Sequence, residues 1–158
     1  MAECKLNTIG KIVNNEGDVR LVLDKGYGPA LKGLEDFSHI QILWWFSECE
    51  DAVSRSNMTE VSPYRNGPDE LGVFATRSPM RPNPIALSTS EITYIDHDNA
   101  VIGLTYLEAF DGTPVLDIKP YTPSADRVEA PRVPGWCAHW PQSLEASEAF
   151  DWEAQFNF

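Results

Sequence analysis

The residues with the most chemical potential fall in two short segments. The first, GVFATRSPMRPNPIALS, runs from Gly72 to Ser88 and carries Pro79, Pro82 and Pro84, three prolines within six residues. Each proline fixes its own φ and restricts the residue before it, so a stiff loop is expected between two strand-like runs. Such a loop can hold Arg77, Ser78, Arg81 and Asn83 at fixed angles. A guanidinium offers five donors in a planar fork and a carboxamide both donor and acceptor, so the set suits a carboxylate, a phosphate or a nucleobase edge. A rigid barrel corner with incidental arginines competes with that reading, as does a PxxP ligand at Pro79 to Pro82. Ligands of that kind usually sit in disordered tails, whereas this one lies between buried-looking strands.

The second segment, DGTPVLDIKPY, runs from Asp111 to Tyr121. Asp111-Gly112 with Pro114 is a turn, and Val115 to Ile118 a short strand. Alternation puts Asp117, Lys119 and Tyr121 on one face. An acid, an amine and a phenol so placed can organise a proton transfer, or satisfy one another as an ion pair beside a packed ring. Other chemistry is thin. Cys137 and His139 form a C-x-H pair, but Cys4, Cys49, His39 and His97 are scattered, so no tetrahedral metal site is expected. Trp44, Trp45, Trp136, Trp140 and Trp152 read as core and tail docking before a base-stacking platform, because Trp44 and Trp45 lie in the most apolar run. No glycine-rich phosphate loop, nucleophile elbow or dinucleotide fingerprint is present.

The elements that must position these residues read mostly as strands. Lys5 to Val13, Val19 to Leu23, His39 to Phe46, Val73 to Thr76, Ile85 to Ile95 and Ala100 to Leu107 are short runs rich in β-branched and aromatic residues. Asn14 to Gly17 and Asp96 to Asn99 supply hairpin turns, so both flanking pairs are expected to be antiparallel. Short helices are expected around Pro29 to Leu34 and from Leu144 to Phe150, the latter capped by Ser143. The stretch from Ser47 to Leu71 reads as a long polar loop. Many short strands with few helices predict a mainly β protein, a small closed antiparallel barrel over residues 1–132 with an acidic tail over 133–158 whose short helix packs on the barrel.

Composition narrows the function classes. The chain has 158 residues, 42% hydrophobic, which suits one folded domain rather than a disordered chain. No apolar run approaches a membrane span, and MAECKLNTIG lacks a basic and an apolar region, so no secretory signal and a cytoplasmic setting are expected. The three cysteines are widely spaced, which fits a reducing compartment better than a disulfide framework. A net charge of −12 excludes a generic nucleic-acid binder. Charge is uneven, however. Gly33 to Ser54 holds five acids and no Lys or Arg, and Val133 to Phe158 four acids and none, while Arg55, Arg65, Arg77 and Arg81 concentrate in the neutral middle. A local positive surface is therefore compatible with an acidic protein.

These two segments, with LKGLEDFSHIQILWWF from Leu31 to Phe46, closely resemble the signature segments of the TsaA-like, or TrmO, family. The similarity runs from Leu6 to Asp126. The resemblance implies a small β-barrel, a homodimer and S-adenosylmethionine as cofactor, with methylation of N6 of threonylcarbamoyladenosine in the tRNA anticodon loop as the best-known activity. It places cofactor contacts at Phe46, Ser47, Glu48, Arg77, Leu87, Leu107 and Glu108. Methylation of so poor a nucleophile requires proton removal, for which Asp117 or Tyr121, with Lys119 nearby to tune charge, are the candidates. Arg65, Arg81 and Asn83 are the expected substrate contacts. The chain departs from the pattern at Ser47, where histidine is usual, at Ala86 for glycine and at Glu108 for aspartate, and Ile9 to Leu23 lacks a Pro-Arg-Gln element. A binding module or sensor for the same ligand, or a methyltransferase with a non-tRNA acceptor, is the alternative reading.

Overall fold

A computed structural model describes residues 5–158, leaving Cys4 outside the described residues. Strands β1 (Gly10–Asn15) and β2 (Asp18–Leu23) form the first expected hairpin. Its turn has Glu16 at φ 48° and Gly17 at φ 97°, the paired positive values whose twist matches that of adjacent strands. Strand β3 (His39–Trp45) carries the most apolar run, β4 (Thr59–Val61) and β5 (Glu70–Gly72) pair as a separate hairpin, and β6 (Ile85–Asp96) is the longest strand. With β7 (Val101–Leu104) and β8 (Pro114–Pro120), six strands close in the order β1-β2-β7-β6-β3-β8. The chain is thus mainly β, a closed antiparallel barrel, as its alternation predicts. Closure leaves no wall strand with an unpaired edge.

Alternation fixes which residues face the lumen. Ile40, Ile42 and Trp44 point inward from β3 and meet Ile12, Leu21, Ile102 and Val115 from the other walls. Six of these seven are fully buried, each stabilising the fold by about 1.5–3 kcal/mol. Trp44, 5% exposed, finds a partner for its indole, donating from Nε1 to Ser88 Oγ at 3.0 Å. Gly10 is required by close approach, because a Cβ there would collide with the Val22 carbonyl oxygen and lie 2.6 Å from Leu23 Cα.

Several elements differ from expectation. Val73 to Thr76 is not a strand: Val73–Ala75 is one 3-10 turn, closed by Thr76, whose hydroxyl donates to Val73 O at 2.9 Å. The apolar residues that suggested a strand serve instead to bury Val73, 1% exposed. The helix expected around Pro29 is two 3-10 turns, Lys25–Leu31 and Leu34–Asp36, separated by Gly33 at φ 88°. The polar stretch from Ser47 is ordered, holding helix α1 (Ala52–Ser56) and the β4–β5 hairpin. Asp51 caps α1, accepting from Val53 N, Ser54 N and Ser54 Oγ, and these bonds hold its carboxyl below the usual carboxylate range. Helix α2 (Pro123–Asp126) follows the barrel, and α3 (Leu144–Ser147) is capped by Ser143 as expected but stops before Phe150.

The tail folds on an aromatic cluster. Tyr64, at the tip of the β4–β5 hairpin, stacks on Trp136 with ring centroids 4.9 Å apart, and meets Trp140 at 5.3 Å and Phe156 at 5.6 Å. Trp152 packs edge-on against Trp140 and Phe150. Main-chain bonds seal the contact: Arg65 N donates to Gln155 O, and Asn157 N to Pro63 O. These contacts join the tail to the hairpin tip.

Candidate functional site

The end of the barrel beyond Trp45 gathers the residues that the sequence assigned to a cofactor. Phe46 leaves β3 with its N–H bonded to Pro84 O at 2.8 Å and its ring 4.5 Å from that of Trp44. Ser47 and Glu48 follow in an exposed 3-10 turn. Arg77 reaches across the same rim, donating from Nη1 to Leu87 O at 3.1 Å, which leaves its remaining N–H groups for a ligand. Beyond β7 the chain continues beside β6, with Thr105 N on Glu91 O and Ser90 Oγ on Tyr106 O. Because β6 and β7 are antiparallel, this carries Leu107 and Glu108 toward the Leu87 end. Asn14, on the first hairpin, then pins the segment, its Nδ2 donating to Ala109 O and its main-chain N–H to Asp111 Oδ1. Leu107 is 2% exposed and belongs to the core, so its side chain is packed inside and only its main chain can meet a ligand.

Asp117, Lys119 and Tyr121 are not part of this rim within one chain. Register pairs Asp117 with Leu43 and Lys119 with Gln41, and Tyr121 N bonds His39 O, so the series runs down the wall away from Phe46. At about 3.4 Å per residue, Asp117 stands ~10 Å and Lys119 ~17 Å along the wall from the Phe46 level. Asp117 and Lys119 share the outward face, as alternation requires, and form an ion pair of 3.2 Å, both more than half exposed. The ring of Tyr121 lies edge-on to His39 at 6.5 Å. Asp117 also borders a cavity of about 200 Å³ between the wall and the Lys25–Leu31 turn.

The arginines have uncommon partners. Arg55 Nε donates to Pro82 O and its guanidinium lies 5.8 Å above the Trp45 ring. Arg65 Nε donates to Phe156 O, Arg77 to Leu87 O, and Arg81 to both Thr76 O and Ser78 O. Among the described residues none of the four is paired with a carboxylate. Glu60, on β4 between Arg55 and Arg65 in sequence, accepts from Asn57 Nδ2 and Ser78 Oγ. Arg81 is thereby the brace of the proline loop, Asn83 Oδ1 receives Arg55 at 3.5 Å, and Arg65 fastens the tail. Outside the rim wall, Trp45, Ser47 and Glu50 with Leu6, Thr8, Pro114 and Leu116 line a groove of about 310 Å³. Trp45 is a half-buried wall residue that the core reading missed; its only signal was the strict inward alternation of Trp44, which turns its neighbour outward. Tyr64 had no sequence signal at all.

The family described as tRNA-methyltransferase O N-terminal domain matches residues 9–127. The chain belongs to this family. The TrmO match ends at the close of α2 and leaves the aromatic tail outside it. An Escherichia coli relative named tRNA (adenine(37)-N6)-methyltransferase is 37% identical over 141 residues, covering 88% of this chain and 57% of the relative. An Archaeoglobus fulgidus relative named S-adenosyl-L-methionine-binding protein is 40% identical over 102 residues, covering 65% of this chain and 68% of the relative. The crystal structure of TrmO from Pseudomonas aeruginosa superposes with a TM-score of 0.62 at 30% identity, covering 83% of this chain and 62% of that one. The chain thus spans little more than half the length of the E. coli relative.

Proposed function

We propose that the chain is an S-adenosylmethionine-dependent methyltransferase that acts as a homodimer on N6 of threonylcarbamoyladenosine in a tRNA anticodon loop. The donor set fits the cofactor. Arg77 presents free N–H groups suited to a carboxylate, Glu48 and Glu108 present exposed carboxylates suited to ribose hydroxyls or a sulfonium, and Phe46 and Leu87 offer apolar contact. When bound, the cofactor supplies an electrophilic methyl group on sulfur. The chain's own task is to align the acceptor nitrogen in line with that bond and to take its proton. Asp117 is the proposed proton acceptor, with Lys119 and Tyr121 beside it. Their distance from the rim in one chain supports a place for them in the site of a second copy. Exposed Phe74, Leu87, Tyr106 and Phe110 support burial against that copy.

The observation that carries the tRNA reading is the set of four arginines bonded to main-chain carbonyls and, among the described residues, to no carboxylate, which leaves their charge available to phosphates on an otherwise acidic protein. The Trp45 groove beside Ser47 is large enough for a splayed base, as anticodon loops offer. The test is mass spectrometry of nucleosides from tRNA bearing threonylcarbamoyladenosine, incubated with the protein and S-adenosylmethionine. A gain of one methyl on that nucleoside is expected. Cofactor binding without methyl gain on tRNA would overturn the tRNA reading, and of the alternatives the binding module is the one that the mutual neutralisation of Asp117 and Lys119 favours.

A further inference from the structure

We infer that the aromatic tail is a strap that sets the position of Arg77, with Tyr64 as the positioning residue. The inference rests on the proposed pairing of Arg77 with the methionine carboxylate of the cofactor. The tail, which lies outside the family match, grips one feature through rings and main chain together. Tyr64 and Phe156 form a β-bridge, Arg65 bonds Gln155 O and Phe156 O, and Asn157 Nδ2 donates to Ser62 O at 2.7 Å. The gripped hairpin leads straight to Arg77. Val73 N closes on Met58 O beside the hairpin base, and the Val73–Ala75 turn follows β5 directly. Glu60 of β4 accepts Ser78 Oγ at 2.7 Å, which ties the residue after Arg77 to the same hairpin. The Arg77 main-chain N–H and guanidinium lower the pKa of the Tyr64 phenol against the larger rise that burial causes. Arg77 is therefore held by Leu87, by Arg81 through the carbonyls of Thr76 and Ser78 on either side of it, and by a hairpin whose tip carries the tail contacts named above.

Aromatic pairs of this kind contribute about 0.5–1.5 kcal/mol each beyond their burial, enough to keep the strap seated. Tyr64→Phe keeps the ring and removes the phenolic oxygen on which Arg77 acts electrostatically. Phe156→Ala loosens the strap from its other side. Titration calorimetry with S-adenosylmethionine and with its decarboxylated analogue separates carboxylate recognition from general binding, alongside thermal melts. The wild type is expected to prefer the carboxylate form by about tenfold, the worth of one charge-assisted pair. Arg77→Ala should abolish that preference. Tyr64→Phe should reduce it at least about fivefold with an unchanged melting temperature, and Phe156→Ala should do so with a lowered one. Both should leave affinity for the decarboxylated analogue as it was. If the wild type or Arg77→Ala shows that no preference depends on Arg77, the carboxylate pairing is wrong and the strap falls with it. If Arg77→Ala loses the preference while Tyr64→Phe and Phe156→Ala retain it, the pairing stands and the strap alone is overturned.

Discussion

Asp117→Asn removes a charge and a proton acceptor while keeping the size of the side chain. Its ion pair with Lys119 is exposed and worth about 0–1 kcal/mol, so the substitution leaves stability nearly unchanged. If Asp117 is the base, single-turnover methylation falls at least about a hundredfold, within the range of general base catalysis, while calorimetric cofactor affinity moves less than about twofold. Equal losses in rate and affinity would remove Asp117 from the chemistry. Tyr64 gives a second residue-scale expectation. Burial pushes its phenol up, the nearby Cys137 and Glu60 add to that, and the Arg77 main-chain N–H and guanidinium oppose it. A raised folded-state value means that the stabilisation is complete below the ordinary tyrosine value, about 10, and is lost as pH rises through the folded one. Tryptophan fluorescence should therefore report release of the tail in alkali, and Tyr64→Phe should delay it. Arg77 and Phe46 drew attention in the sequence because they sit in motif segments. Tyr64 was opaque because its role depends on contacts with residues 136–156, which no local pattern encodes.

Two elements concentrate the barrel's sensitivity. Gly10→Ala would drive a Cβ into the β2 backbone at Val22 and Leu23, which cannot give way as a side-chain tip can. Overpacking costs about 1–3 kcal/mol, so the urea midpoint should fall with an unchanged slope, and wild-type stability would show that β1 can shift. Leu21→Ala, at a fully buried position, should cost about 2–5 kcal/mol in the same measurement. Both hairpin turns and the wall strands were legible because period-two alternation and turn chemistry agree at Asn14 to Gly17 and at Asp96 to Asn99. Val73 to Thr76 was misleading for a physical reason. A run of four residues ending before Arg-Ser-Pro shows too little periodicity to separate a strand from one buried 3-10 turn. The β4–β5 hairpin was hidden in polar sequence, since a three-residue strand with exposed ends needs no apolar alternation.

For the whole molecule, the distance from rim to Asp117 predicts that two copies share each site. Arg77→Ala and Asp117→Asn proteins, each inactive alone, should regain activity when mixed and allowed to exchange subunits, and continued inactivity of the mixture would place both residues in one copy's site. tRNA binding should also weaken steeply with salt, its logarithm falling with log salt by about 0.7 for each single-strand phosphate engaged. Arg55→Ala together with Arg81→Ala should flatten that slope, and an unchanged slope would move the contact elsewhere. The net charge of −12 is thus a background against which four arginines act. Their carbonyl partners carry a consequence of their own. A carbonyl neither gains nor loses a proton, so the acceptors of Arg55, Arg65, Arg77 and Arg81 are the same at every pH at which the protein folds. Mild acid erases negative charge elsewhere on the surface and leaves these guanidiniums seated where they were. The positive loop is in effect buffered against acid, and an acidic shift strengthens its pull on phosphate without redrawing its shape.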